Sequence, residues 1–270
     1  MAPQNTPTPR PLALITGASS GIGYELAKIF AKNGYDLFVT SGSEKINTVL
    51  EDFRSLGVQV MSAEVDLAEP EGADKLWREV AAADRNLDVA VINAGVGVGG
   101  RFDSETDLEE EINIVDLNCR STVILAKYVV KHMRQRGAGK ILFTASIAGT
   151  MPTPLEAVYG ASKAFVLSFS NALHYELKDT GITVTALMPG ATDTNFFHRA
   201  HMDDTKVGSE GKYENKPEDV AQQGYDALMS GDEKVVAVSV KTKIQGRMAP
   251  ITPDPALAAM HEKMASKKTA

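Results

Sequence analysis

"LALITGASSGIGYELAKIFAKNG", residues 12 to 34, is the stretch on which the fold turns. An apolar run, Leu12 to Thr16, leads into the glycine-rich TGASSGIG, Thr16 to Gly23, and YELAKIFAKNG follows at once with helical periodicity. A strand, a glycine turn and a helix N-terminus together make an anion site, because backbone N–H groups point outward and the helix dipole favours negative charge. Gly17 permits the tight turn, Gly21 the close approach of a pyrophosphate, and Gly23 close packing of helix on strand. The spacing is Gly-x-x-x-Gly-x-Gly, which differs from the commoner G-x-G-x-x-G fingerprint.

Outward from that unit, short β-rich runs alternate with longer amphipathic segments. Leu12 to Thr16, Asp36 to Thr40, Val58 to Met61, Val89 to Asn93, Lys140 to Ala145, Thr183 to Leu187 and Lys234 to Val238 are predicted strands, with helices between most of them. Most of these runs lack an apolar/polar alternation, so both sheet faces are covered, the mark of a parallel sheet with helices on each side. The expectation is an α/β fold, a doubly wound parallel sheet of seven strands in one catalytic domain spanning residues 12–240. Residues 1–11, rich in proline and polar side chains, are expected to form a mobile arm. Residues 192–216 are polar and contain HRAHMDD, and they are read as an inserted lid. The tail, 241–270, carries a short amphipathic segment from Pro255 to Met264.

The chain of 270 residues carries a net charge of −7, which argues against a sequence-independent grip on nucleic acid or an anionic membrane. A small-molecule partner is the expected one. The single cysteine, Cys119, cannot form an internal disulfide, no apolar run reaches the length of a membrane span, and the opening MAPQNTPTPRP has no apolar signal core. These features predict a soluble, cytoplasmic protein.

The stretch VYGASKAF places Tyr159 and Lys163 four positions apart in a helical segment, on one face. Taken with the glycine loop, Asp66, INAG at Ile92 to Gly95, Asn118, Ser146, YGASK and MPG at Met188 to Gly190, the chain resembles the short, single-domain branch of the short-chain dehydrogenase/reductase family. The resemblance runs from Leu12 to about Val240. It implies an NAD(P)-dependent oxidoreductase with Rossmann fold, and a catalytic set of Asn118, Ser146, Tyr159 and Lys163. Ser146 precedes Tyr159 by thirteen positions, the family's separation. Tyr159 is implied as the general acid/base that protonates a carbonyl oxygen while hydride passes from the nicotinamide, with Ser146 polarising the same carbonyl. A free phenol titrates near about 10, so a nearby positive charge is needed to stabilise its phenolate, and Lys163 is expected to supply it. Lys163 is also implied to bond the nicotinamide ribose, and Asn118 to hold a water that links Lys163 to solvent.

The resemblance further implies cofactor contacts at Gly17, Ser19, Ser20, Gly21, Ile22 and Gly23 in the loop. Asn93, Ala94 and Gly95 are expected against the adenosine half, Asp66 with Leu67 at the adenine ring, and Pro189, Gly190, Thr192 and Thr194 at the carboxamide and diphosphate. Folds that choose NAD place an acid about 20 residues past the loop. Here FVTSGSEK offers Ser41 and Ser43 and no acid at the strand end, although Glu44 and Lys45 follow and the arginine of many NADP-preferring relatives is absent. NADP (NADPH) is favoured, with NAD as the alternative.

The predicted activity is reduction of a ketone, a 3-oxoacyl thioester or another carbonyl, to a secondary alcohol. The rival readings are a non-catalytic dinucleotide-binding sensor or scaffold and a sugar-nucleotide epimerase or dehydratase. Substrate choice is assigned to the lid and to Val96 to Arg101, with Met151, Pro152, Leu155, Phe196 and Phe197 as pocket candidates. His198, His201, Asp203 and Asp204 are read as lid residues and no metal is expected. Cys119 is read as a packed core thiol, Trp77 and His174 as packing on helices, and Asp107 to Glu111 as a solvated face. A homodimer or homotetramer through the helices Asp107 to Arg136 and Glu156 to Thr180 is expected, as in relatives.

Overall fold

Leu12 and Leu14 point to one side of the sheet, Ala13 and Ile15 to the other, and all four are fully buried. That arrangement in one short strand shows a sheet covered on both faces, as the unbroken apolar run requires. The computed structural model describes residues 9–210, 215–237 and 252–267. Residues 1–8 of the expected arm, 211–214 of the expected lid, 238–251, which include Val238 of the seventh predicted strand and the start of the tail, and 268–270 at its end lie outside the described residues.

Seven parallel strands make one sheet: β1 (Leu12–Thr16), β2 (Asp36–Ser41), β3 (Val60–Glu64), β4 (Leu87–Ile92), β5 (Gly139–Thr144), β6 (Ile182–Pro189) and β7 (Lys234–Ala237). Their order is β3-β2-β1-β4-β5-β6-β7. Between β1 and β4 the order reverses direction, and a crevice opens there at the carboxyl ends. Helices α1 (Gly21–Lys32), α2 (Lys45–Arg54) and α9 (Pro217–Ser230) supply Leu26, Phe30, Phe53, Val220 and Leu228 to one core. The opposite core takes side chains from α3 (Gly72–Ala82), α5 (Ser121–Arg136) and α6 (Ala157–Glu176), among them Leu76, Leu125, Val129 and Val166. Phe30, fully buried with its ring edge-on to Tyr35 and Tyr225, removes enough apolar area to contribute on the order of 2 to 3 kcal/mol. On the other side Trp77 stacks on Tyr128 with ring centroids 5.6 Å apart.

The remaining helices are α4 (Leu108–Ile114), α7 (Phe196–Arg199), α8 (Lys206–Glu210) and, at the end of the chain, α10 (Asp254–Ala265). Between α4 and α5 the helix widens to a π turn over Val115–Arg120. Among the described residues, no helix is long and apolar enough to cross a membrane.

Two local expectations are corrected. The third strand is Val60–Glu64, shifted from Val58 to Met61, because it lies at a sheet edge: its pairing runs Leu37 with Val60 to Ser41 with Glu64, two of its five residues, Ser62 and Glu64, are exposed, and none is fully buried. An edge strand has no need of an unbroken apolar run, so the apolar window misled. The stretch expected as a polar lid holds a small core of its own, in which Phe197, Ala200 and Met202 are buried with Ala265 of α10.

Candidate active site

The glycine loop is fixed from beneath. Thr16 Oγ1 accepts the N–H groups of Asn93 and Ala94, both at 2.9 Å, and the Asn93 amide donates to Thr16 O at 3.0 Å. Thr144 Oγ1 donates to Asn93 Oδ1 at 3.0 Å, so Asn93 ties the ends of β1, β4 and β5 together. Gly17 has φ +68°, which a side chain tolerates poorly, and a Cβ on Gly23 would overlap the Gly17 carbonyl oxygen and crowd the Asn93 amide. The tight turn at Gly17 and the close packing at Gly23 are thus where the sequence placed them. Gly21 lies under Thr194, whose Cγ2 would be 3.0 Å from an added Cβ.

Ser19 Oγ and Ser41 Oγ are 3.0 Å apart at the end of β2, and the exposed Ser43 lies just beyond. Ser20 stands at the N-cap of α1 without a side-chain cap bond. Ile22 is partly buried against the α1 core. Asp66 is exposed and accepts the Ala68 N–H at 2.9 Å, while the Leu67 side chain is buried in the core. Thr40 Oγ1 is buried without a hydrogen-bond partner at this end of the sheet.

The catalytic candidates converge beside this loop. Ser146, just past β5, is buried; its Oγ accepts the Ala148 N–H at 3.1 Å and donates to Pro189 O at 3.4 Å. Lys163 is 4% exposed, and its Nζ donates to Thr144 O at 2.9 Å. It lies 5.9 Å from the centre of the Tyr159 ring rather than on the phenol oxygen. Burial lowers the Lys163 ammonium to about 8. Burial pushes the Tyr159 phenol up, the Glu156 carboxylate pushes the same way, and the Ser146 hydroxyl pulls it down. The Tyr159 ring meets Phe196 of α7 at 5.1 Å. Gly190 and Thr192 follow β6, with Thr192 buried and its hydroxyl donating to Gly190 O at 2.9 Å.

Asn118 sits in the π turn, a kind of distortion frequent at functional sites. Its side chain accepts from Val96 N at 3.0 Å and donates to Val96 O and Ser162 Oγ, each at 2.9 Å. Ser162 Oγ in turn donates to Tyr159 O at 2.7 Å. Asn118 therefore fastens the loop after β4 to the turn that carries Tyr159. An added Cβ on Gly95 would lie 3.1 Å from both Lys163 Nζ and Asn118 Oδ1, so the absence of a side chain keeps a cradle open in front of them. That cradle, the loop N-terminus and the hydroxyls of Ser19, Ser41 and Ser43 fit a dinucleotide.

Residue-type reasoning passed over Thr16, Thr144 and Ser162, because a lone hydroxyl or a backbone carbonyl leaves no trace in spacing. It also misjudged two side chains. Cys119 is only half-buried, its thiol raised by that burial, and it lines a surface recess instead of the core. Glu111, in the run read as a solvated face, is buried because it lies on the inner side of α4. His198 pairs with Asp203 at 2.7 Å and His201 with Glu110 at 3.3 Å, and no group of three metal-ligating side chains comes together among the described residues. His174 packs as expected, with Nδ1 2.8 Å from Val184 O.

The family model for short chain dehydrogenases matches residues 11–205. Sulfoacetaldehyde reductase 2 of Chromohalobacter salexigens is 34% identical over 68% of this chain and 74% of its own length. The NADP-dependent 3-hydroxy acid dehydrogenase of Salmonella typhi is 31% identical over 78% of this chain and 86% of its own. A short-chain dehydrogenase from Sphingobium yanoikuyae, solved in complex with NADPH, superposes with a TM-score of 0.79 at 28% identity, covering 89% of this chain and 93% of that one. With the ordered motifs assembled in one crevice, the conclusion is that the chain belongs to the short-chain dehydrogenase/reductase family of oxidoreductases.

Proposed function

We propose that the protein reduces a ketone or related carbonyl to a secondary alcohol with NADPH, Tyr159 giving the proton. The observation that carries this reading is the meeting of Ser146, Tyr159 and a buried Lys163 beside the glycine loop. A bound nicotinamide cofactor supplies the hydride in reduction and takes it up in oxidation. Ser146 Oγ accepts from Ala148 N and so keeps its own proton for donation, and the long bond that proton makes to Pro189 O is readily exchanged for one to a substrate oxygen. Tyr159, its phenol raised by burial, holds its proton at neutral pH and is available as the acid. Lys163, steered by Thr144 O, brings positive charge to the same pocket and so favours the phenolate left behind.

Support for NADPH comes from the end of β2, where hydroxyls replace the acid that would repel a 2′-phosphate, and from relatives named as NADP-dependent or solved with NADPH. Substrates of 3-oxoacyl type are supported by the 3-oxoacyl-[acyl-carrier-protein] reductase of Escherichia coli, 32% identical over 73% of this chain and 79% of its own length. A homodimer or homotetramer through α5 and α6 is supported by Ile112, Val115 and Phe165, large apolar side chains left exposed on and beside those helices. A cytoplasmic, single-domain protein completes the reading.

The test is loss of reduced-nicotinamide absorbance with NADPH and with NADH across ketones, aldehydes and 3-oxoacyl thioesters. Turnover that requires Tyr159 and prefers NADPH supports the proposal. Cofactor binding without turnover on any carbonyl favours the sensor or scaffold reading, and tighter binding of NADH reverses the cofactor assignment.

A further inference from the structure

Helix α10 buries one stripe, Leu257, His261 and Ala265, spaced four residues apart, while Met260 and Met264 face outward. The middle of that stripe is not apolar. His261 Nε2 lies 3.0 Å from Glu156 Oε2, and the two residues are 6% and 5% exposed. Glu156 immediately precedes α6 and stands three positions before Tyr159. Its backbone is fixed as well: the carbonyl accepts from Thr153 Oγ1 at 3.0 Å and from Gly160 N at 2.9 Å. One turn further along α10, Ala265 joins Phe197, Ala200 and Met202, and Lys267 bridges to Thr205. Phe196, beside Phe197, is the residue whose ring meets Tyr159. A single helix therefore touches both the turn that presents the catalytic tyrosine and the segment that covers it.

We propose that His261 is a positioning residue for Tyr159: by holding the buried Glu156 carboxylate, it makes α10 the brace that sets the catalytic turn and its cover together. For docking alone an apolar residue would serve, and it would leave a carboxylate buried without a partner, which is strongly destabilising. With His261 in place, the Glu156 carboxylate, whose charge opposes a phenolate at Tyr159, is held in one position beside the turn by the imidazole. The kinetic consequence rests on the reductase reading above, whereas the structural coupling does not.

The experiment compares His261→Ala, Glu156→Gln and the double variant. In His261→Ala we expect kcat to fall about tenfold while the NADPH dissociation constant stays within about twofold, since the glycine loop is untouched. Glu156→Gln alone, whose amide can still bond the imidazole, should keep kcat within about threefold of wild type, and adding it to His261→Ala should cause no further loss, since the two changes break the same contact. Amide hydrogen exchange should quicken in residues 153–163 and 196–205 of His261→Ala and remain unchanged in 12–32. If His261→Ala does not fold, His261→Gln against the same double-variant scheme gives the reading. Unchanged kcat and exchange in His261→Ala, or a further fall in kcat when Glu156→Gln is added to it, would overturn the proposal. If the wild type reduces no carbonyl, the reductase reading fails by itself, and the exchange pattern alone then decides whether α10 braces the turn.

Discussion

The two sides of the crevice are built differently. On the cofactor side, β1, β4 and β5 are cross-tied by Thr16, Asn93 and Thr144, and positions such as Gly17 and Gly23 admit no side chain. On the opposite side, two short helices and the distant α10 enclose a small apolar cluster around Phe197, Ala200 and Met202. The first side draws its rigidity from the sheet, the second from contacts between segments far apart in the chain. Under the proposed reading, the first half would hold the dinucleotide and the reacting groups, while the second would select the molecule accepted.

The sharpest attempt to break this division is Tyr159→Phe, which should lower kcat about a thousandfold and leave NADPH affinity unaltered; residual turnover near wild type would remove the tyrosine from the mechanism. Next in size is Lys163. Its ammonium titrates near 8 in the folded protein, below the unfolded value, so the native state binds fewer protons between those two values and stability rises with pH across that window. At pH 7 the lysine is charged in both states and the whole penalty is present. Lys163→Met should therefore raise unfolding stability by up to about 3 kcal/mol at pH 7, seen in denaturant melts, while abolishing most turnover. By the same reasoning, wild-type kcat/KM for reduction should decline as pH rises through about 8, where the ammonium is lost.

Smaller effects separate the halves. Gly23→Ala should destabilise by about 2 kcal/mol and weaken cofactor binding, since the added methyl collides with rigid backbone. Phe196→Ala should raise the KM of bulky ketones about tenfold with no change in NADPH affinity, checked by steady-state kinetics beside fluorescence titration. If both affinities moved together in Phe196→Ala, the two sides would not be independent.

This difference also explains what the sequence made legible. The fold could be read because a parallel sheet buried on both faces leaves unbroken apolar runs, and only the edge strand β3 escaped that signal. The glycine loop and the Tyr159–Lys163 pair could be located because each falls within a few consecutive residues, and the structure places both beside the loop after β4. The ties made by Thr144, Ser162 and His261 join residues from 19 to 105 positions apart, and no local pattern records them. Cys119 and Glu111 misled for a related reason: which face of a helix is inner is decided by what packs on it.

Trp77 is the chain's one tryptophan, and it lies flat against Tyr128 in the layer formed by α3 and α5. Its intrinsic fluorescence therefore reports the state of that layer, remote from residues altered at the crevice. Emission spectra of the crevice variants should overlay that of the wild type while they stay folded, which gives each of them a built-in optical control for folding.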